Sequence, residues 1–171
     1  MKCVRNLLEK LDYELLQGNL DQEISSLVYD SRKVEKDAMF VCVKGAAVDG
    51  HTFAAEVVEK GASVLVVSEE VEVGDDATIV KVADTREALA YLAAAYFDHP
   101  ADTLKVIGIT GTKGKTTTTY MVKSIMENAG FKVGLIGTIE AIIGDEKIPA
   151  NNTTPESYVV QEYFHKMLDA G

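Results

Sequence analysis

An apolar, β-branched run, Leu104 to Ile109, leads into the stretch GITGTKGKTTTT, Gly108 to Thr119, and then into a segment with helical periodicity. Strand, glycine loop and helix in that order constrain the chain around them to an α/β arrangement. The same order cradles nucleotide phosphates. Gly111 and Gly114 let the backbone come close, and the first N–H groups of the helix point at the phosphates with its dipole behind them. Lys115 can reach the β/γ-phosphates, and the Thr116 hydroxyl can hold Mg²⁺. The loop is not the general one: Ile109 stands five residues before the Gly114-Lys115 pair, where that pattern needs glycine, and Gly111 sits three before Gly114.

Bulk properties narrow the field. The chain has 171 residues, 47% hydrophobic and 26% charged, which suits one or two ordered domains. Two cysteines, Cys3 and Cys42, are too few for a disulfide framework, so a reducing cytoplasm is the expected setting. The N-terminus mixes acids among its apolar residues and reads as neither signal nor anchor. The net charge of −10 is uneven: residues 1–103 hold 20 acids and 10 bases, residues 104–171 seven of each. No basic face is evident, which argues against a nucleic-acid partner. No apolar run approaches transmembrane length.

Along the chain, residues 2–11 read as a short amphipathic helix. Ile24–Tyr29, Ala38–Val43, Ser63–Val67 and Thr78–Val82 read as strands, and Thr52–Lys60 as a helix stopped by Gly61. Asp84 and Glu87 form a capping pair for a helix whose stripe is Ala88, Leu89, Leu92, Ala93, Tyr96 and Phe97. His99-Pro100 marks a boundary, giving domains over 1–101 and 102–171. Strand 104–110, the glycine loop, a helix to Ala129 capped by Gly130 and strand 132–138 follow. The methionine-bearing stripe Met121, Val122, Ile125, Met126 is expected to be core. Residues 139–148 suggest a hairpin about Gly144-Asp145. Thr154-Pro155-Glu156 suggests a helix start with Thr154 as cap.

The expectation is therefore α/β: a complete first domain, then the truncated opening of a P-loop, Rossmann-like nucleotide domain. That second domain would need further strands and a carboxylate for the magnesium site. A fragment of a longer enzyme is expected.

Three polar clusters stand outside the loop. Tyr29-Asp30-Ser31-Arg32 follows a strand, as either a turn cap or a small ligand site. Lys44 to His51 is a glycine-bearing loop, with His51 read as a helix-start or packing histidine. Asn151 to Glu156 carries two amides and two hydroxyls at a helix start, able to cap it or to meet a carboxylate or phosphate.

Taken together, DSRKV, FVCVKG…DGHTFAAEVVEKGA, GITGTKGKTTTT, GLIGTI and NTTPES resemble, in order and spacing, the Mur ligase family, and within it the MurE type. The resemblance implies three domains: one binding UDP, a central ATPase and one binding an amino acid. The present chain would be the first and the start of the second. It implies that Tyr29 and Ser31 contact the UDP-sugar, with Ala46-Ala47-Val48 near the uridine. Gly111, Thr112, Lys113, Gly114, Lys115, Thr116 and Thr117 would hold ATP, with Lys115 catalytic and Thr116 on Mg²⁺. Asn152, Thr153 and Thr154 would touch the muramoyl-dipeptide. The implied reaction is ATP-dependent ligation of an amino acid to UDP-N-acetylmuramoyl-L-Ala-D-Glu through an acyl phosphate, by a cytoplasmic enzyme. These 171 residues alone are expected not to catalyse it. Other readings are a folylpolyglutamate synthetase, which would not carry the DSR…DGH domain, a paralogue acting on another carboxylate, and a non-catalytic UDP-sugar and nucleotide-binding module. A switch GTPase is disfavoured, since no Asn-Lys-x-Asp sequence is present.

Overall fold

The computed structural model describes residues 1–45, 48–150 and 154–171. The chain divides into two compact units, Met1–Tyr96 and Phe97–Gly171.

The first unit is built on a five-stranded sheet. Its elements in chain order are β1 (Lys2–Cys3), α1 (Val4–Leu7), β2 (Tyr13–Gln17), β3 (Glu23–Ile24), β4 (Leu27–Val28), β5 (Ala38–Val41), α2 (Ala54–Glu59), β6 (Ala62–Val67), β7 (Thr78–Val82) and α3 (Thr85–Tyr96). The sheet runs β2-β7-β6-β5-β4. Strands β4 to β7 are mutually parallel, and β2 closes one edge antiparallel to β7. A two-residue ladder joins β1 to β3.

Every residue of β5, and nearly every one of β6, is buried, as expected of a parallel sheet covered on both faces. Phe40, Leu65, Val67 and Ile79 point to one side, where Ala54 and Val57 of α2 meet them. Their alternates, Met39, Val41, Val64, Val66 and Val80, are as deeply buried on the other side. That face is the one left for α1 and α3, which pack on each other and bring Val4, Leu7, Leu89 and Leu92 inside. Asp84 caps α3: its Oδ1 accepts from the N–H groups of Arg86 at 2.7 Å and Glu87 at 3.2 Å. Gly61, at φ +109°, ends the α2 segment as expected and lies against the Lys36 backbone.

Several boundaries differ from expectation. The N-terminal helix is only Val4–Leu7, because Lys2–Cys3 is drawn into pairing with β3. The strand expected over 24–29 is split into β3 and β4, and β5 ends at Val41. The helix expected from Thr52 begins as a 3₁₀ turn, Gly50–Phe53, capped by Asp49. Strand β2 was not anticipated.

The second unit contains α4 (Lys115–Asn128), β8 (Leu135–Ile136), β9 (Glu140–Ile143), β10 (Glu146–Pro149) and α5 (Ser157–Asp169). The hairpin about Gly144-Asp145 is present as β9-β10, and β8 joins it antiparallel. The strand expected over 104–110 does not form. Residues 105–110 carry no ladder, since no described strand lies alongside, and Val106 and Ile107 are exposed. The strand expected over 132–138 is reduced to β8. The stripe of α4 expected to be core is only partly covered: Met121 and Ile125 are 61% and 66% exposed, while Val122 and Met126 are half-buried. Helix α5 starts two residues later than expected, with Glu156 rather than Thr154 at the N-cap.

Candidate functional site

The loop Gly111–Gly114 turns the chain into α4. Gly111 sits at φ +151° and Gly114, the N-cap of α4, at φ +79°, a left-handed conformation that glycine adopts without strain. A Cβ at Gly114 would meet nothing within 4 Å, so the constraint there is backbone conformation and not crowding. The first-turn N–H groups of Lys115, Thr116 and Thr117 have no acceptor within the helix, as at every helix start. Lys115 folds back so that its Nζ donates to the Gly111 carbonyl at 2.6 Å. Its ammonium and the free amides therefore face the same loop, and their donor set suits a polyphosphate. Thr119 Oγ1 is spent on the Thr116 carbonyl at 2.8 Å. Thr112 and Lys113 are exposed on the loop. One turn into α4, the Tyr120 hydroxyl donates to Glu140 Oε1 at 2.7 Å and fixes the helix to β9; that bond raises the phenol's pKa.

A second region gathers at one edge of the first unit's sheet. Because β4, β5 and β6 are parallel, their carboxyl ends open on the same edge, the edge where parallel sheets bind ligands. Tyr29, Asp30 and Ser31 follow β4. Asp30 caps the 3₁₀ turn Ser31–Lys33, accepting from the Arg32 amide at 3.1 Å and pairing with its guanidinium at 2.7 and 2.8 Å. The guanidinium hydrogen bonds hold the Asp30 carboxyl at about 2. The Ser31 carbonyl accepts from Lys60 Nζ at 3.1 Å. The cap reading of this cluster is thus satisfied, and it leaves Tyr29 and Ser31 at the edge.

After β5 the chain forms a narrow hairpin whose stem is the bridge Lys44–Asp49. The Gly50 N–H donates to the Val43 carbonyl at 3.0 Å, so close that a Cβ at Gly50 would lie 2.7 Å from the Val43 nitrogen. Ala46 and Ala47 lie outside the described residues; Val48 is exposed. Lys44 Nζ pairs with Glu69 at 2.7 Å and lies 3.7 Å from Asp49 Oδ2; the Glu69 bond raises its pKa.

His51 is placed as a packing and helix-start histidine, as its position suggested, with partners the sequence did not reveal. Asp49 Oδ1 receives the His51 N–H at 3.0 Å and contacts Nδ1 at 2.6 Å, which lowers the Asp49 pKa. On the far side of the ring, Nε2 accepts the Ser68 N–H at 2.9 Å, with Ser68 Oγ at 3.3 Å. An amide can only donate, so Nε2 holds a lone pair and Nδ1 carries the proton toward Asp49. Carboxylate, imidazole and hydroxyl follow the order of a hydrolytic triad. Yet the lone pair that a general base needs is already taken by the amide of that same serine, so the group is structural. The Asp-x-His spacing was the one available signal for the cap; nothing near Ser68 announced its share.

Of the residues expected at the muramoyl-dipeptide, Asn152 and Thr153 lie outside the described residues, and Thr154 is exposed ahead of α5. Among the described residues no three His, Cys, Asp or Glu converge on a metal position. No helix there is long and apolar enough to cross a membrane.

Two family descriptions match the chain: "Mur ligase family, catalytic domain" over residues 23–97 and "Mur ligase middle domain" over residues 109–171. The chain belongs to the Mur ligase family. A relative from Clostridium perfringens, named UDP-N-acetylmuramoyl-L-alanyl-D-glutamate--2,6-diaminopimelate ligase, is 52% identical over 168 residues, which are 98% of this chain and 35% of that protein. The chain thus spans about a third of the length of the curated relatives it matches. A solved ligase of the same name superposes with a TM-score of 0.76 at 21% identity, over 99% of this chain and 34% of its own, a likeness of fold. MurF ligase from Thermotoga maritima, solved in complex with ADP, matches at TM-score 0.54 and 26% identity over 81% of this chain and 28% of its own. The Mur ligase matches cover both the sheet edge and the loop: the first description includes Tyr29 to Ser68, the second Gly111 to Thr117.

Proposed function

We propose that this chain is the UDP-sugar-binding domain, residues 1–101, and the opening of the ATP-binding domain, residues 102–171, of a cytoplasmic MurE-type ligase. Its reaction adds 2,6-diaminopimelate to UDP-N-acetylmuramoyl-L-Ala-D-Glu for peptidoglycan synthesis. The observation that carries the reading is the Gly111–Thr117 loop at the start of α4, with the Lys115 ammonium and the unspent amides turned to one place. The relatives' names supply the substrates, and a structural neighbour solved in complex with ADP supports an adenine nucleotide as a ligand.

Gly111, Thr112, Lys113, Gly114, Lys115, Thr116 and Thr117 hold ATP in this reading. The Thr116 hydroxyl would hold Mg²⁺, which would neutralise phosphate charge there. The γ-phosphoryl passes from ATP to a carboxylate of the dipeptide, releasing ADP. The amine of the incoming amino acid then attacks the acyl phosphate, forming the amide and releasing phosphate. Lys115 is the catalytic residue because its charge offsets what develops on the transferring phosphoryl. Tyr29 and Ser31 at the sheet edge contact the UDP-sugar; Asn152, Thr153 and Thr154 contact the dipeptide.

The test is calorimetric titration of the chain with UDP-N-acetylmuramoyl-L-Ala-D-Glu, UDP and folate, beside a ligation assay on a chain of the relatives' full length. Saturable binding of the muramoyl ligand, tighter than UDP and absent for folate, is expected, with ligation only by the longer chain. Lys115→Ala is expected to weaken MgATP binding by roughly 10- to 100-fold, the worth of a charge-assisted contact. A folded chain that ignores both uridine ligands sinks the reading.

A further inference from the structure

We propose that His51 is a positioning residue that pins the Lys44–Asp49 hairpin to the carboxyl end of β6, and that this pin sets the affinity of the sheet edge for a uridine diphosphate. The inference rests on the reading of that edge as the UDP-sugar site. The hairpin leaves β5 at the same edge as Tyr29 and Ser31, and among the described residues two side-chain ties hold it to the end of β6. One tie is the Lys44–Glu69 ion pair, whose side chains are more than half exposed. Exposed pairs of this kind contribute little and weaken with salt. The other passes through the imidazole. Asp49, in the stem, receives Nδ1–H, and Nε2 receives the Ser68 N–H just past β6. The His51 side chain is only 7% exposed, so this tie is shielded from water, where a hydrogen bond counts for more.

The ring is a two-ended link, and each end can be cut separately. In His51→Asn the side-chain amide nitrogen stands near Nδ1 and keeps the bond to Asp49, but nothing reaches Ser68. In His51→Gln the side-chain oxygen reaches toward Nε2 and keeps the Ser68 bond, but the donor to Asp49 is lost. A pin fails when either end is cut. Both variants are therefore expected to speed hydrogen exchange at the Gly45 and Gly50 amides, while the Ser68 amide speeds up only in His51→Asn. Both are expected to weaken UDP binding on the order of tenfold. Leu89→Ala, a core change in α3, serves as a control for general loss of stability and is expected to leave UDP affinity intact in the folded fraction.

Unchanged exchange at Gly45 and Gly50 in both variants overturns the pin, whatever binds. Altered exchange with unaltered UDP affinity, or an affinity loss matched by Leu89→Ala, overturns its link to the ligand. A wild-type chain that binds no UDP overturns the reading of the edge and the ligand half of this proposal, while exchange still decides whether the pin exists.

Discussion

At the scale of single residues, most of the polar groups at the sheet edge are engaged with one another. Asp30 is the clearest case. Its pKa, held at about 2 by Arg32, lies below the ordinary 3.8. A carboxylate depressed in the folded state adds stability above its unfolded pKa and loses it as pH falls toward the folded one. The Asp30→Asn chain keeps a capping oxygen but not the charge. Its urea midpoint is expected below wild type at neutral pH, with the gap closing as pH falls from about 4 to about 2. Gly50 is constrained by crowding: Gly50→Ala places a Cβ against backbone atoms of Cys42 and Val43. A loss of about 1–3 kcal/mol is expected, read from the denaturation midpoint. Cys42 is buried, and that burial pushes its thiol up to about 12. The position of His51 at a helix start was legible, but its partners were not. The Asp49 contact leaves a signal only in local spacing, while the Ser68 contact depends on a strand 17 positions away, which no local pattern encodes.

At the scale of elements, what could be read depended on whether partners lie nearby. Strand β7 has the expected bounds, and α3 starts at the expected cap, because burial on both faces and an Asp cap leave strong local marks. Strand β2 was missed: Tyr13–Gln17 shows no clean alternation, is largely exposed, and is a strand only because β7 lies beside it. The loop at Gly111 was legible as a motif. The strand expected before it was not realised, since apolar β-branched sequence alone supplies no ladder partner. Helices α3 and α4 should respond unequally to truncation of an apolar side chain. Leu92→Ala in α3 empties a fully buried site and is expected to cost about 2–5 kcal/mol. Ile125→Ala in α4, 66% exposed, is expected to stay within about 0.5 kcal/mol, both measured by chemical denaturation.

At the scale of the whole molecule, the second unit leaves several large apolar side chains at its surface. Ile107, Met121, Ile125 and Phe131 are all more than half exposed. The 171-residue chain is expected to bind the dye ANS, and a chain of the relatives' length to bind it less; equal fluorescence would show that the added length does not cover these side chains. One further consequence comes from the antiparallel edge of the first sheet. Gln17 bonds to the Ala77 carbonyl 60 positions along the chain, and among the described residues β2 has no ladder partner but β7. On a ribosome β2 must therefore wait for this ladder until Val82 has emerged from the exit tunnel. Closing that edge joins two strands far apart in the sequence, a long-range pairing of the kind that slows folding.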